Sequence, residues 1–238
     1  MHKYVWLQVQ MIKLYEEYAE NLPADEINAI KFGNTTQDQH EKAHQEDNHI
    51  LKFFIDKGLA EKIVKEAPTN YSETTQNDIQ TVLSMMKAVT PEDIVFARQA
   101  EESFEQVFLD FFAAKGIKET MGELKGVDSQ TETLLFYLKE EINRPRPNQL
   151  GKAYRVPLYP IIHTDANSAS YPGGHAYASF NLAEYYSRKY PIYRGELEQL
   201  AEKIAESRIK MGIHFPSDTE ISRYIIKLIW KYDLIRYE

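Results

Sequence analysis

Apolar residues recur at three- and four-residue intervals along almost the whole chain, and no stretch shows the strict alternation that a half-buried strand requires. A chain patterned this way buries its apolar stripes by laying helix on helix, so the sequence predicts an all-α, multi-helix bundle. The period places helices over 3–20, 36–57, 74–88, 91–115, 129–142, 174–189, 194–212 and 218–236. Two starts carry their own chemistry. Thr90-Pro91-Glu92-Asp93 reads as an N-cap, a proline at the first helical position and acids in the first turn, and Ser217 with Glu220 has capping-box spacing. The 238 residues contain no internal repeat or low-complexity tract. They are expected to form one domain over 1–238, in which the helices of 1–128 pack on or cover a core formed by 129–238.

Composition removes several classes of function. There is no cysteine, which excludes disulfides, a thiolate nucleophile and thiolate metal sites. A formal charge of −8 argues against nucleic acid as a partner. The apolar C-terminal run "YIIKLIWKYDLIRY" is interrupted by lysines and an aspartate, so no membrane span is expected. The opening twenty residues place Leu7, Met11, Leu14 and Tyr18 at helical spacing, without the continuous apolar core of a signal peptide, so the expected location is cytoplasmic. A homo-oligomer is compatible with all of this.

The longest irregular piece, 143–173, holds five of the ten prolines yet is rich in apolar and aromatic residues. A loop of this length in a helical domain points to function. Around it, cations fall on faces that should be buried. Arg208 continues the stripe of Leu197, Leu200, Ala201, Ile204 and Ala205. Lys139 borders the stripe of Leu134, Leu135, Leu138 and Ile142 and is followed by Arg144 and Arg146. His175 shares a stripe with Ser179, Leu182 and Tyr186. Buried cations must meet carboxylates of the protein or an anion from outside. Directly before His175, "YPGG" strips the backbone of side chains at a helix N-terminus, where an anion can approach the amides.

Taken together, "KEEINRPRP" from Lys139, "YPGGH" from Tyr171 and "SRIKMGIHFPSD" from Ser207 resemble the three-part signature of the type 2 phosphatidic acid phosphatase and vanadium haloperoxidase superfamily, K-x6-R-P, P-S-G-H and S-R-x5-H-x3-D. The resemblance covers residues 139–218 and leaves 1–128 untouched. One position departs from it: Gly173 stands where the family carries serine, which removes a hydroxyl donor to a bound oxyanion.

The resemblance implies a role for each matching residue. Lys139, Arg146 and Arg208 would bind phosphoryl oxygens, and Gly173 and Gly174 would offer backbone N–H groups. His214 would attack phosphorus, His175 would protonate the leaving oxygen, and Asp218 would orient His214. Such a site works without a metal, because arginine forks and helix N-terminal amides can hold the charge on the equatorial oxygens. The implied activity is hydrolysis of phosphate monoesters through a phosphohistidine, as in the class A nonspecific acid phosphatases, with a small phosphate ester as partner and no cofactor. Vanadate would act as a phosphate mimic. Two alternatives use the same residues: a haloperoxidase with vanadate as cofactor on His214, and a non-catalytic phosphate-binding module. Tyr154, Tyr159 and Tyr171 are expected to cover an apolar leaving group.

Residues 40–44, "HEKAH", also match the H-E-x-x-H pattern of zinc peptidases. The surrounding "NTTQDQHEKAHQEDNH" is polar and supplies no third ligand at the usual spacing, so the segment reads as a solvated helix face on which metal binding would be incidental.

Overall fold

The computed structural model describes residues 22–45, 47–164 and 166–236, and the helix expected over 3–20 lies outside them. Among the described residues the fold is all-α. In chain order the helices are α1 (Ala24–Ala29), α2 (Gln37–Ala43), α3 (His49–Asp56), α4 (Leu59–Glu66), α5 (Glu73–Lys87), α6 (Pro91–Ala114), α7 (Met121–Ile142), α8 (Pro147–Gly151), α9 (Gly174–Lys189), α10 (Arg194–Lys210) and α11 (Pro216–Lys231).

Where the boundaries differ from expectation, local capping is the reason. The segment 36–57 divides into α2 and α3 because the Asn48 side chain accepts from Ile50 N (3.1 Å) and Leu51 N (2.9 Å) and starts a new helix. Helix α7 begins well before residue 129, at a capping box between Thr120 and Glu123. The Thr90–Asp93 box starts α6 as expected, but that helix is broken at Ser103, whose φ and ψ are −164° and 109°. Helix α11 does not use the Ser217–Glu220 box. It starts at Pro216, where Asp218 accepts from Phe215 N (2.8 Å).

The main core draws on both halves of the chain, from Ile50 and Phe54 through Phe108 and Phe112 to Leu182, Ile204 and Ile229. Helix α9 packs against α10, α11 and α7, and α2 lies along α7. A second cluster joins Ile79 and Val82 of α5 to Leu150, Leu158, Ile209 and Phe215. This cluster matters most for function, because it seats the α10–α11 turn on α5. The turn itself is a Schellman motif, in which Ile213 N donates to Arg208 O (3.0 Å) and Gly212 N to Ile209 O (2.9 Å). Gly212 has φ +72°, a left-handed conformation that favours glycine, and an added Cβ would stand 2.9 Å from Met86 Sδ, so that flexible side chain would also have to shift.

Candidate active site

The motif spacings are consequences of these helix ends. Arg208 lies in the last turn of α10, the Schellman turn reverses the chain, His214 follows it, and Asp218 falls in the first turn of α11. Lys139 lies in the last turn of α7, which closes on Asn143 in the left-handed region, and Arg146 is the N-cap of α8. Gly173 caps α9, so Gly174 and His175 open its first turn.

These pieces converge on a cavity of about 280 Å³ lined by Lys139, Arg146, Gly174, His175, Arg208 and His214, together with Glu101, Ile213 and the loop residues Thr164, Ala166, Asn167 and Ser168. His214 is nearly inaccessible, at 3% exposed. Its Nδ1 lies 3.0 Å from Asp218 Oδ2 and its Nε2 lies 3.3 Å from Arg146 Nη1. A carboxylate on one side and a guanidinium donor on the other select a single tautomer. Nδ1–H donates to Asp218, and Nε2 keeps its lone pair. Burial first, and then the charge of Arg146, bring the His214 pKa down to about 3 against the opposing effect of Asp218. The ring is therefore neutral at ordinary pH, as a nucleophile must be.

Asp218 is fully buried and heavily bonded. Besides His214 and Phe215 N, it accepts from Arg144 Nη1 (2.7 Å) and from the Ser170 hydroxyl. Burial pushes its pKa up, but Arg144 and the bonds from His214 and Ser170 outweigh that and hold it at about 2. Arg144, also buried, reaches Ser217 Oγ (2.7 Å), Thr75 Oγ1 (3.0 Å) and Asp78 Oδ2 (3.0 Å). Asp78 in turn accepts from Ser217 N (3.2 Å). A buried network Asp78–Arg144–Asp218 thus supports His214 from beneath. Arg144 is visible in the sequence only as one more cation, and Asp78 and Ser170 carry no motif.

The three motif cations are paired differently. Lys139 Nζ donates to Ala169 O. Arg146 donates from Nε to Ser168 O (2.9 Å) and from Nη1 to Ile213 O (3.2 Å). Among the described residues neither contacts a carboxylate. Burial and the charge of Arg146 lower the pKa of Lys139 well below its ordinary value, and burial, with the charge of Arg208, lowers that of Arg146 to about 10 against the opposing Asp218. Arg208, 1% exposed, does have an acid: its Nη2 pairs with Glu101 of α6, and its Nη1 donates to Ala97 O (3.3 Å). Burial and the Arg208 charge also lower His175, which faces the edge of Phe104 with ring centroids 5.6 Å apart.

The two glycines diverge. Gly174 lines the cavity, whereas the Gly173 N–H is directed to Asp218 O (3.1 Å) and is not offered to a ligand. The expected tyrosine cover is not formed either. Tyr171 is buried, the Tyr154 hydroxyl donates to Asn70 O (2.6 Å), and Tyr159 is exposed, none of the three lining the cavity.

The chain matches no protein-family model and no curated protein. Among solved structures it is similar to a transmembrane phosphatidylglycerolphosphate phosphatase of the PAP2 type from Bacillus subtilis, with 19% identity over 78% of this chain and 94% of that one and a TM-score of 0.47. Among the described residues no helix is long and apolar enough to cross a membrane.

Proposed function

We propose that this chain is a phosphatase of the type 2 phosphatidic acid phosphatase and vanadium haloperoxidase superfamily, hydrolysing phosphate monoesters through a phosphohistidine at His214 without a catalytic metal. The observation that carries the reading is His214 itself. Its Nδ1 is held by a buried aspartate and its Nε2 stands at the wall of a cavity where, among the described residues, the buried cations Lys139 and Arg146 have no carboxylate partner. An oxyanion supplies the missing charge.

In this mechanism Lys139, Arg146, Arg208 and the first amides of α9 hold the phosphoryl oxygens. His214 Nε2 attacks phosphorus as the ester P–O bond breaks, and the leaving oxygen takes a proton from His175. Water then attacks the phosphohistidine, giving its proton to His175 and releasing phosphate and His214. Asp218 stabilises the positive charge that develops on His214 while nitrogen is bonded to phosphorus. The polar lining and modest volume suit small phosphate esters, as in the class A acid phosphatases that the motifs resemble.

The test is hydrolysis of a generic aryl phosphate across about pH 4 to 8 with chelator present, in the wild type and in His214→Ala. Turnover that survives chelation, is blocked by vanadate and falls at least about 10³-fold in the variant supports the reading. Phosphate binding with no turnover in the wild type would overturn it.

A further inference from the structure

The H-E-x-x-H segment acquires in the fold what it lacks in the sequence. Helix α2 lies along α7, and this brings Glu140 against both histidines. Glu140 Oε1 is 3.0 Å from His40 Nδ1, and its Oε2 is 3.4 Å from His44 Nε2. The two imidazoles stand with centroids 4.3 Å apart, and the three ligand atoms lie within 4.8 Å of one another. We propose that His40, His44 and Glu140 bind a divalent cation of the zinc class.

Three observations support the site. The first is spacing. Ligands about 2.0–2.1 Å from a tetrahedral zinc lie roughly 3.3 Å from each other, and the carboxylate–imidazole separations of 3.0 and 3.4 Å bracket that distance. The second is donor type, since two imidazoles and a carboxylate suit zinc and its neighbours better than calcium or magnesium, which prefer all-oxygen sites. The third is an orphan. Glu140 Oε2 is shut off from solvent and, among the described residues, accepts no hydrogen bond, His44 Nε2 standing 3.4 Å away without forming one. A buried carboxylate oxygen without a donor is costly, and a cation would satisfy it.

The site is distinct from the catalytic cavity, since none of the three residues lines it. It is also not that of a zinc peptidase. Glu41, which would have to act as base, is exposed and accepts from Gln37 Nε2 (2.9 Å). What the cation would do is fasten α2 to α7. Gln39, directly before His40, donates to Asn167 O (3.2 Å) and Asn167 Oδ1 (2.9 Å), and Asn167 is part of the cavity wall. Clamping α2 therefore steadies the wall of the site from outside.

The experiment titrates the untagged, chelator-stripped chain with Zn²⁺ by calorimetry and with Co²⁺ by visible absorption, following thermal unfolding in parallel. The expected result is one equivalent bound, an imidazole-ligated Co²⁺ spectrum and a higher melting temperature with metal. Binding should weaken at least about tenfold in His44→Gln and in Glu140→Gln and stay unchanged in Glu41→Gln. If a ligand variant does not fold, the Co²⁺ spectrum of the wild type decides by itself. Absence of stoichiometric binding, or binding indifferent to both ligand substitutions, overturns the proposal and leaves a histidine–glutamate ion pair.

Discussion

Two buried arginines divide the site into regions built from similar parts for different ends. Beneath His214, Arg144 is 2% exposed and sits between Asp78 and Asp218, both nearly inaccessible. On the cavity wall, Arg208 is just as buried, but its carboxylate, Glu101, keeps contact with the cavity and 18% of its side-chain surface. The first pair is sealed and acts as a scaffold that fixes the orientation of Asp218. The second is open, so under the proposed function Glu101 holds the charge of Arg208 that an incoming phosphate would share or displace. Burial alone does not distinguish a structural cation from a ligand-binding one. The accessibility of its partner does.

Substitution should separate the two most sharply. Arg144→Leu strands two buried carboxylates and is expected to cost about 3–5 kcal/mol of stability by chemical denaturation. Arg208→Leu leaves only Glu101, which the cavity can hydrate, so its cost should stay near 1 kcal/mol while phosphate affinity drops about 100-fold. Equal destabilisation by both would dissolve the distinction. Glu101→Gln refines it: with the competing charge gone, phosphate or vanadate should bind about tenfold more tightly, read as an inhibition constant. Unchanged or weaker inhibition would mean that Glu101 holds Arg208 in place and does not compete with the ligand.

The scaffold also has a pH signature. His214 titrates at about 3 in the folded chain and near its ordinary 6.5 when unfolded. Between those values the unfolded state binds the extra proton, so stability is full above about pH 6.5 and declines as pH falls towards 3. Asp218, held at about 2, adds a second loss once pH drops below the ordinary aspartate range. Denaturation followed against pH should show His214→Ala making the upper limb shallower, the rest of that limb being carried by His175, whose pKa is also lowered to about 3. Because burial keeps His175 neutral before substrate binds, under the proposed function the proton that it passes to the leaving oxygen arrives with the substrate. That predicts kcat/KM falling as pH rises past about 6, where phosphate esters lose their second proton.

How much of this was legible in the sequence follows from the range of the interactions. The helices and three motifs could be read because each is a local pattern: a stripe, a Pro at the first helical position, a fixed interval from Arg208 to His214 to Asp218. Asp78 and Glu101 could not, because they reach the site by the packing of α5 and α6, and neither has a spacing relation to residues 60 to 140 positions away. Glu140 was hidden for the same reason, so H-E-x-x-H looked incomplete until α2 lay on α7. The Gly173 amide failed differently. Its position in the motif was clear, but its bond to Asp218 O depends on where α11 begins, which the Ser217–Glu220 box placed two residues too late.

Gly173 lies against Asp218 and His214, next to the cavity-lining Gly174, and its replacement gives the finest test of the comparison. A Cβ there would stand 3.5 Å from Asp218 O, 3.6 Å from Asp218 Cβ and 3.6 Å from His214 Nδ1, all ordinary contacts, and its φ of −75° suits any residue. Gly173→Ser is therefore accommodated without strain. As an N-cap, serine should add a few tenths of a kcal/mol to stability over glycine. If its hydroxyl also reaches a bound oxyanion, phosphate should inhibit about threefold more tightly, the effect of one added hydrogen bond. A gain in melting temperature without any gain in inhibition would assign the new hydroxyl to the scaffold beside Asp218, and would mean that the cations and amides already present suffice to hold the anion.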